Sequence, residues 1–163
     1  MKTAIVYYSY SGNTRKVAEI LAEALKEKSS VDLIDLQALD ESNSFLGQCR
    51  RAIVRKKGKI APVKLDLSAF DLICFGTPVW AFGPAPAINA YLEQCTGLSG
   101  KEVILFTTYG SGAGKERCVN YMQDILSRKG TKSFKRFSIQ QFKVKDRQLV
   151  LAEIEKGGIS EKA

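Results

Sequence analysis

The sequence predicts an α/β protein built on a doubly wound, five-stranded parallel sheet with helices on both faces. Two observations carry this. Short apolar, β-branched or aromatic runs alternate five times with segments of helical period. Such alternation calls for crossover connections and a parallel sheet covered on both sides. The chain has 163 residues, 45% hydrophobic and 26% charged. That suits a single globular domain spanning 1–163, which needs no disulfide or metal to stay folded. No run of apolar residues is long enough for a membrane span. The first residues lack the apolar core and cleavage site of a signal peptide, so a cytoplasmic location is expected.

Residues 3–8 (TAIVYY) read as a buried strand, and 9–14 as a polar turn with Gly12. From 14 to 28, Val17, Leu21, Ala24 and Leu25 recur at helical spacing with charges mostly opposite, an amphipathic helix. Residues 31–36 form a second strand. A helix over 45–57 would turn Leu46, Cys49 and Ile53 inward and stop at Gly58, followed by a connector with Pro62. Residues 71–76 (DLICFG) are the third strand, 77–83 a loop, and 84–95 a helix with its prolines in the first turn. A fourth strand covers 102–107 and a glycine-rich loop 108–114. The next helix covers 116–129, with Gly130 placed to end it. Residues 131–139 alternate weakly and carry lysines, as an edge strand does, and 146–156 is the last helix, closed by Gly157 and Gly158.

In open parallel sheets ligands bind beyond the carboxyl ends of the strands, which directs attention to the loops after strands one, three and four. The first, Ser9-Tyr10-Ser11-Gly12-Asn13-Thr14, places three hydroxyls, an amide and a turn-forming glycine at a helix start. A simple N-cap needs one such residue and contributes roughly 1 kcal/mol. Four polar candidates in six positions favour a phosphate cradle of backbone N–H groups and hydroxyls, without a lysine. The second loop, Thr77-Pro78-Val79-Trp80-Ala81-Phe82-Gly83, holds the one Trp of the chain. A Trp there either meets a planar ligand, or else caps the core or meets a partner protein. The third, Thr107-Thr108-Tyr109-Gly110-Ser111-Gly112-Ala113-Gly114-Lys115, fails the P-loop pattern, with Tyr109 at the first glycine position and Glu116 after Lys115. Its hydroxyls and free N–H groups suit hydrogen bonds to a heterocycle, or a plain surface turn.

Several chemistries are excluded or disfavoured. There is no histidine, hence no histidine triad, general base or metal ligand. Cys49, Cys74, Cys95 and Cys118 form no CxxC pair, so thiol redox and zinc-finger readings fail on spacing. A phospho-accepting receiver would need acids where Ser9, Tyr10, Gly76 and Thr77 stand.

YYSYSGNTRKVAE at 7–19, DLICFGTPVWAFGPAPAINAYL at 71–92 and FTTYGSGAGK at 106–115 resemble the flavodoxin family of FMN-binding proteins. With the order of elements, the resemblance covers most of the chain. It implies a sheet in order 2-1-3-4-5 and FMN as cofactor. Ser9, Ser11, Gly12, Asn13 and Thr14 would wrap the phosphate, with Tyr10 contributing its backbone. Thr77, Pro78, Val79, Trp80 and Ala81 would lie along one flavin face, and a carbonyl in 80–83 would accept from N5–H. Thr107, Thr108, Tyr109 and Gly110 would meet the pyrimidine edge or the other face. No insertion splits the fifth strand, so the short-chain form is the nearer one. The family implies an electron-transfer flavoprotein working with redox partner proteins. An FMN-dependent NAD(P)H or quinone oxidoreductase on the same scaffold is the alternative.

Charge separates this chain from typical flavodoxins, which are strongly acidic. Its formal net charge is +8. Residues 42–65 carry seven bases and no acid, and 115–147 ten bases and three acids. A surface of this sign suits partners with acidic docking faces or an anionic membrane surface, or is simply a solvated basic face. Nucleic acid rests on charge alone and is not expected. With no acid in the three loops, a second one-electron potential less negative than in acidic relatives is expected.

Overall fold

The structure, a computed structural model, describes residues 1–39 and 58–159; the helix expected over 45–57 lies outside them. The elements are β1 (Lys2–Tyr7), α1 (Asn13–Leu25), β2 (Ser30–Asp35), β3 (Leu72–Trp80), β4 (Gly83–Pro84), α2 (Pro86–Gln94), β5 (Glu102–Tyr109), α3 (Lys115–Ser127), β6 (Ser133–Gln140), a 3-10 turn (Gln141–Lys143) and α4 (Arg147–Lys156). The strands run β2-β1-β3-β5-β6, all parallel, with β4 antiparallel to β3. With the two-residue β4 set aside, this is the expected order 2-1-3-4-5. As expected too, β6, carrying Lys135 and Arg136, forms an edge.

Two hydrophobic layers cover the sheet. One joins α2 and α3 to it through Ile88, Tyr91, Val119 and Met122; the other joins α1 and α4 through Val17, Leu21, Val150 and Ile154. The central strands are almost wholly buried, which is why they read as continuous apolar runs. Gly76 sits where a Cβ would come 2.1 Å from the Phe106 ring. That ring stacks on Phe137 at 5.6 Å, so the missing side chain of β3 is replaced by an aromatic from its neighbour.

Three boundaries differ from expectation, and all bear on the site. β3 continues past Gly76 to Trp80, so residues 77–80 are strand rather than loop. It then turns back through Ala81 (φ 46°) and Phe82 (φ 66°) to pair Trp80 with Gly83 and Val79 with Pro84. Positive φ at both central residues is what a tight two-residue hairpin requires. Because Pro84 belongs to this hairpin, α2 begins later, with Pro86 in its first turn. β5 likewise extends to Tyr109, taking Thr108 and Tyr109 out of the glycine-rich loop.

Candidate functional site: a cofactor cavity at the carboxyl edge of the sheet

The register aligns the strand ends. Tyr7 pairs with both Asp35 and Gly76, Gly76 with Phe106, and Phe106 with Phe137. The segments that follow therefore converge on one edge and enclose a cavity of about 440 Å³. This lies in the range of small-molecule and cofactor sites. The start of α1 supplies Tyr10, Ser11, Asn13 and Thr14; the end of β3 supplies Pro78, Val79 and Trp80; β5 and its loop supply Thr108, Tyr109, Gly110 and Ser111; and the turn after β6 supplies Gln141.

The floor is a helix start left open. Gly12 is the N-cap of α1, in the left-handed region (φ 87°, ψ −9°), and as a glycine offers no capping side chain of its own. The Ser9 hydroxyl accepts from the Arg15 N–H at 3.1 Å, one turn in, and Asn13 Nδ2 donates to the Ser11 hydroxyl at 3.1 Å. Thr14 Oγ1 and Thr108 Oγ1 share a buried hydrogen bond of 2.8 Å that ties α1 to β5. The nearest guanidinium, Arg15, is committed to Asp35 at 2.7 Å. That hydrogen bond and charge hold Arg15 more firmly protonated, while burial first and Asp35 second raise the phenol of Tyr7 beside them. Ser9 takes one first-turn N–H; those ahead of it and the helix dipole favour an anion here without a charged side chain.

The wall is aromatic. Trp80 meets Tyr8 edge-to-face at 5.7 Å and Tyr10 at 5.8 Å. It is only 6% exposed and belongs to the core beneath α2 and α3. Both readings of this Trp thus meet: it caps the core, and its remaining face lines the cavity. Opposite, Tyr109 carries the Lys115 ammonium over its ring at 5.0 Å.

Ten of the fifteen residues expected at the site line the cavity: Tyr10, Ser11, Asn13, Thr14, Pro78, Val79, Trp80, Thr108, Tyr109 and Gly110. The other five stand behind or beside it. Thr77 is fully buried; its hydroxyl accepts from the Ala85 N–H at 3.0 Å and donates to the Pro78 carbonyl at 3.0 Å, bracing the hairpin. Thr107 is buried and bonded to Ser138 at 2.8 Å. Ser9 and Gly12 shape the turn, and Ala81 faces an adjoining recess of about 210 Å³. Two lining residues escaped the sequence reading. Ser111 lay within the glycine-rich loop unsingled, and Gln141 became visible only once β6 was beside β5, where Gln140 Nε2 donates to the Gly110 carbonyl at 3.1 Å. Among the described residues, no acidic or basic side chain lines the cavity.

Residues 1–143 match the family of NADPH-dependent FMN reductases. The chain belongs to that family. Similar solved structures share the fold. A protein from Bacteroides eggerthii DSM 20697 assigned as a flavoprotein is 20% identical, with a TM-score of 0.72 over 98% of this chain and 99% of that one. A flavoprotein from Lactobacillus acidophilus NCFM in complex with FMN is 22% identical, with a TM-score of 0.66 over 90% of this chain and 98% of that one. Oxidised flavodoxin 1 from Bacillus cereus is 19% identical, with a TM-score of 0.60 over 96% of this chain and 98% of that one. The flavodoxin-like resemblance therefore stands, and FMN is the cofactor of this family member. The cavity suits it chemically: an uncapped helix start for a phosphate at one end, an indole and two phenol rings for a planar heterocycle at the other.

Proposed function

We propose that the protein is an FMN-dependent oxidoreductase that accepts two electrons from a reduced nicotinamide dinucleotide and passes them to a second acceptor. The observation that supports this reading is the single cavity joining the open start of α1 to the aromatic wall at Trp80, in a chain of the NADPH-dependent FMN reductase family. FMN supplies the redox chemistry when bound, taking electrons as a pair and releasing them together or singly.

The residues of the chain bind, orient and tune. In this reading the backbone N–H groups at 11–14 and the hydroxyls of Ser11 and Thr14 hold the phosphate. Thr108 fixes Thr14, so the cradle is set before the ligand arrives. Trp80, Tyr10 and Tyr109 give the ring its apolar faces. Thr77 holds the hairpin, so that a carbonyl in 80–83 is offered to the ring N5–H. Among the described residues, no carboxylate lining the cavity opposes negative charge there.

A carrier role is the second reading. The fold it shares with Bacillus cereus flavodoxin 1, over 96% of this chain and 98% of that one, supports it. One experiment separates the two. The purified protein is loaded with FMN, its visible spectrum recorded, and NADPH and NADH oxidation followed with a quinone acceptor. Steady turnover supports the oxidoreductase, and reduction only through a partner reductase supports the carrier. Failure to bind FMN at micromolar concentration overturns both.

A further inference from the structure

The mouth of the cavity carries exposed rings that cofactor binding does not use. Phe142 is 76% exposed and Phe82 51%, and both are held in place rather than loose. Phe142 lies in the 3-10 turn next to Gln141, which lines the cavity; buried Val144 follows on one side, and the Gln140 bond to Gly110 anchors the other. Phe82 sits at the positive-φ hairpin tip, packed so closely on Gly114 that a Cβ there would come 2.2 Å from its ring. Phe82 held at positive φ, and Phe142 held in a turn braced on both sides, keep apolar rings in solvent, which points to something that covers them.

The charges around these rings have one predominant sign. Lys143 and Lys145 flank Phe142, and Lys16 and Arg117 stand in the first turns of α1 and α3; all four are exposed, and no acid among the described residues pairs with them. Asp35 pairs with Arg15, while Asp146, which caps α4, and Glu116 keep their charge, so these two acids stand against the four bases among the described residues. An apolar ring beside two exposed lysines, on loops where bases outnumber acids, is the pattern of a transient, electrostatically steered interface.

We propose that this face docks an acidic one-electron carrier protein, with Phe142 as the apolar anchor and Lys16, Lys143 and Lys145 taking its carboxylates. The proposal rests on FMN occupying the cavity. Each encounter moves one electron and forms no bond. Two oxidised carrier molecules are reduced in turn as one reduced FMN is oxidised, its protons going to solvent. Contiguity with the redox cavity favours a redox protein over a nucleic acid.

The test uses the FMN-loaded protein and an acidic [2Fe–2S] ferredoxin as probe, with binding followed by calorimetry at about 20 and about 300 mM salt. The expected result is binding that weakens about tenfold or more at the higher salt. The double variant K143E/K145E weakens it about tenfold at low salt, and F142S weakens it severalfold without changing the salt dependence. FMN affinity and the flavin spectrum stay unchanged in both variants, since none of the three side chains lines the cavity. No binding of the ferredoxin, unaltered binding by K143E/K145E, or equal affinity for a basic cytochrome c or for poly(U) RNA overturns the proposal. Loss of FMN binding by the unaltered protein overturns the functional reading instead.

Discussion

Two helices of this protein begin in the same way and end up with opposite tasks. Gly12 before α1 (φ 87°, ψ −9°) and Gly114 before α3 (φ 80°, ψ −1°) are both left-handed N-caps, and neither glycine supplies a capping side chain. At Gly114 the space is taken: an added Cβ would lie 2.2 Å from Phe82 Cδ1 and 2.7 Å from its Cα. At Gly12 nothing lies within 4 Å of that position. The start of α3 is a latch for the hairpin, and the start of α1 is the floor of a cavity. Local backbone demand explains the glycine in both cases. What separates them is the element the topology brings opposite, the tip after β3 for one and open space for the other.

Substitution separates the two roles. Gly114→Ala adds a steric conflict to left-handed strain, so a stability loss of about 2–4 kcal/mol is expected in denaturant unfolding. Phe82→Ala relieves only part of it, because the backbone Cα also stands in the way. Gly12→Ala meets strain alone and should cost about 1 kcal/mol. Its larger effect is on the ligand: the advantage of FMN over riboflavin, which lacks the phosphate, should shrink about tenfold by fluorescence titration, equivalent to about 1.4 kcal/mol. Equal stability losses at the two glycines would break the comparison.

The cradle at Gly12 depends on its link to β5. Thr14→Ala or Thr108→Ala each leaves a buried hydroxyl without its partner, for about 1 kcal/mol of stability. A double-mutant cycle should show most of that as coupling. The wall above it bears on the cofactor's potential. With no carboxylate among the described residues lining the cavity, the second one-electron potential should lie less negative than in acidic flavodoxins. The difference should be some tens of millivolts, against about 59 mV for a tenfold change. A potentiometric titration that gives a strongly negative second couple contradicts this.

Much of the architecture could be read from the chain because burial on both faces makes parallel strands plainly apolar. The runs holding Ile5, Cys74 and Ile104 were recognisable for that reason, and alternation with helices led to the sheet. The polar loop at 9–14 was legible because four hydrogen-bonding side chains exceed what one cap uses. The hairpin was not. Ala81 and Phe82 adopt positive φ, which neither residue favours, so nothing local signals the turn; close packing on Gly114 holds it. For the same reason Thr77, expected against the ligand, is spent bracing the hairpin. Gln141 was invisible because its place depends on β6 lying beside β5, a tertiary fact.

The smallest expected effect reports on the latch from inside. Cys118, on the helix that Gly114 begins, is fully buried, and burial pushes its thiol up to about 12; Cys95, at the end of α2, is pushed up to about 11, with Lys129 opposing the shift. The unfolded chain releases these protons near the ordinary value of 9.0. Their contribution is therefore intact below pH 9 and is lost as the pH rises through the folded values. At pH 9 each thiol should account for only a few tenths of a kcal/mol, and with no histidine in the chain, no histidine step is expected between pH 5 and 8. Alkylation at pH 8, followed by peptide mass spectrometry, reads the same burial kinetically. Gly114→Ala should speed labelling of Cys118, because loosening the hairpin frees the start of α3, whereas Gly12→Ala should leave it slow. Equal acceleration in both variants would mean that the two helix starts are not independent.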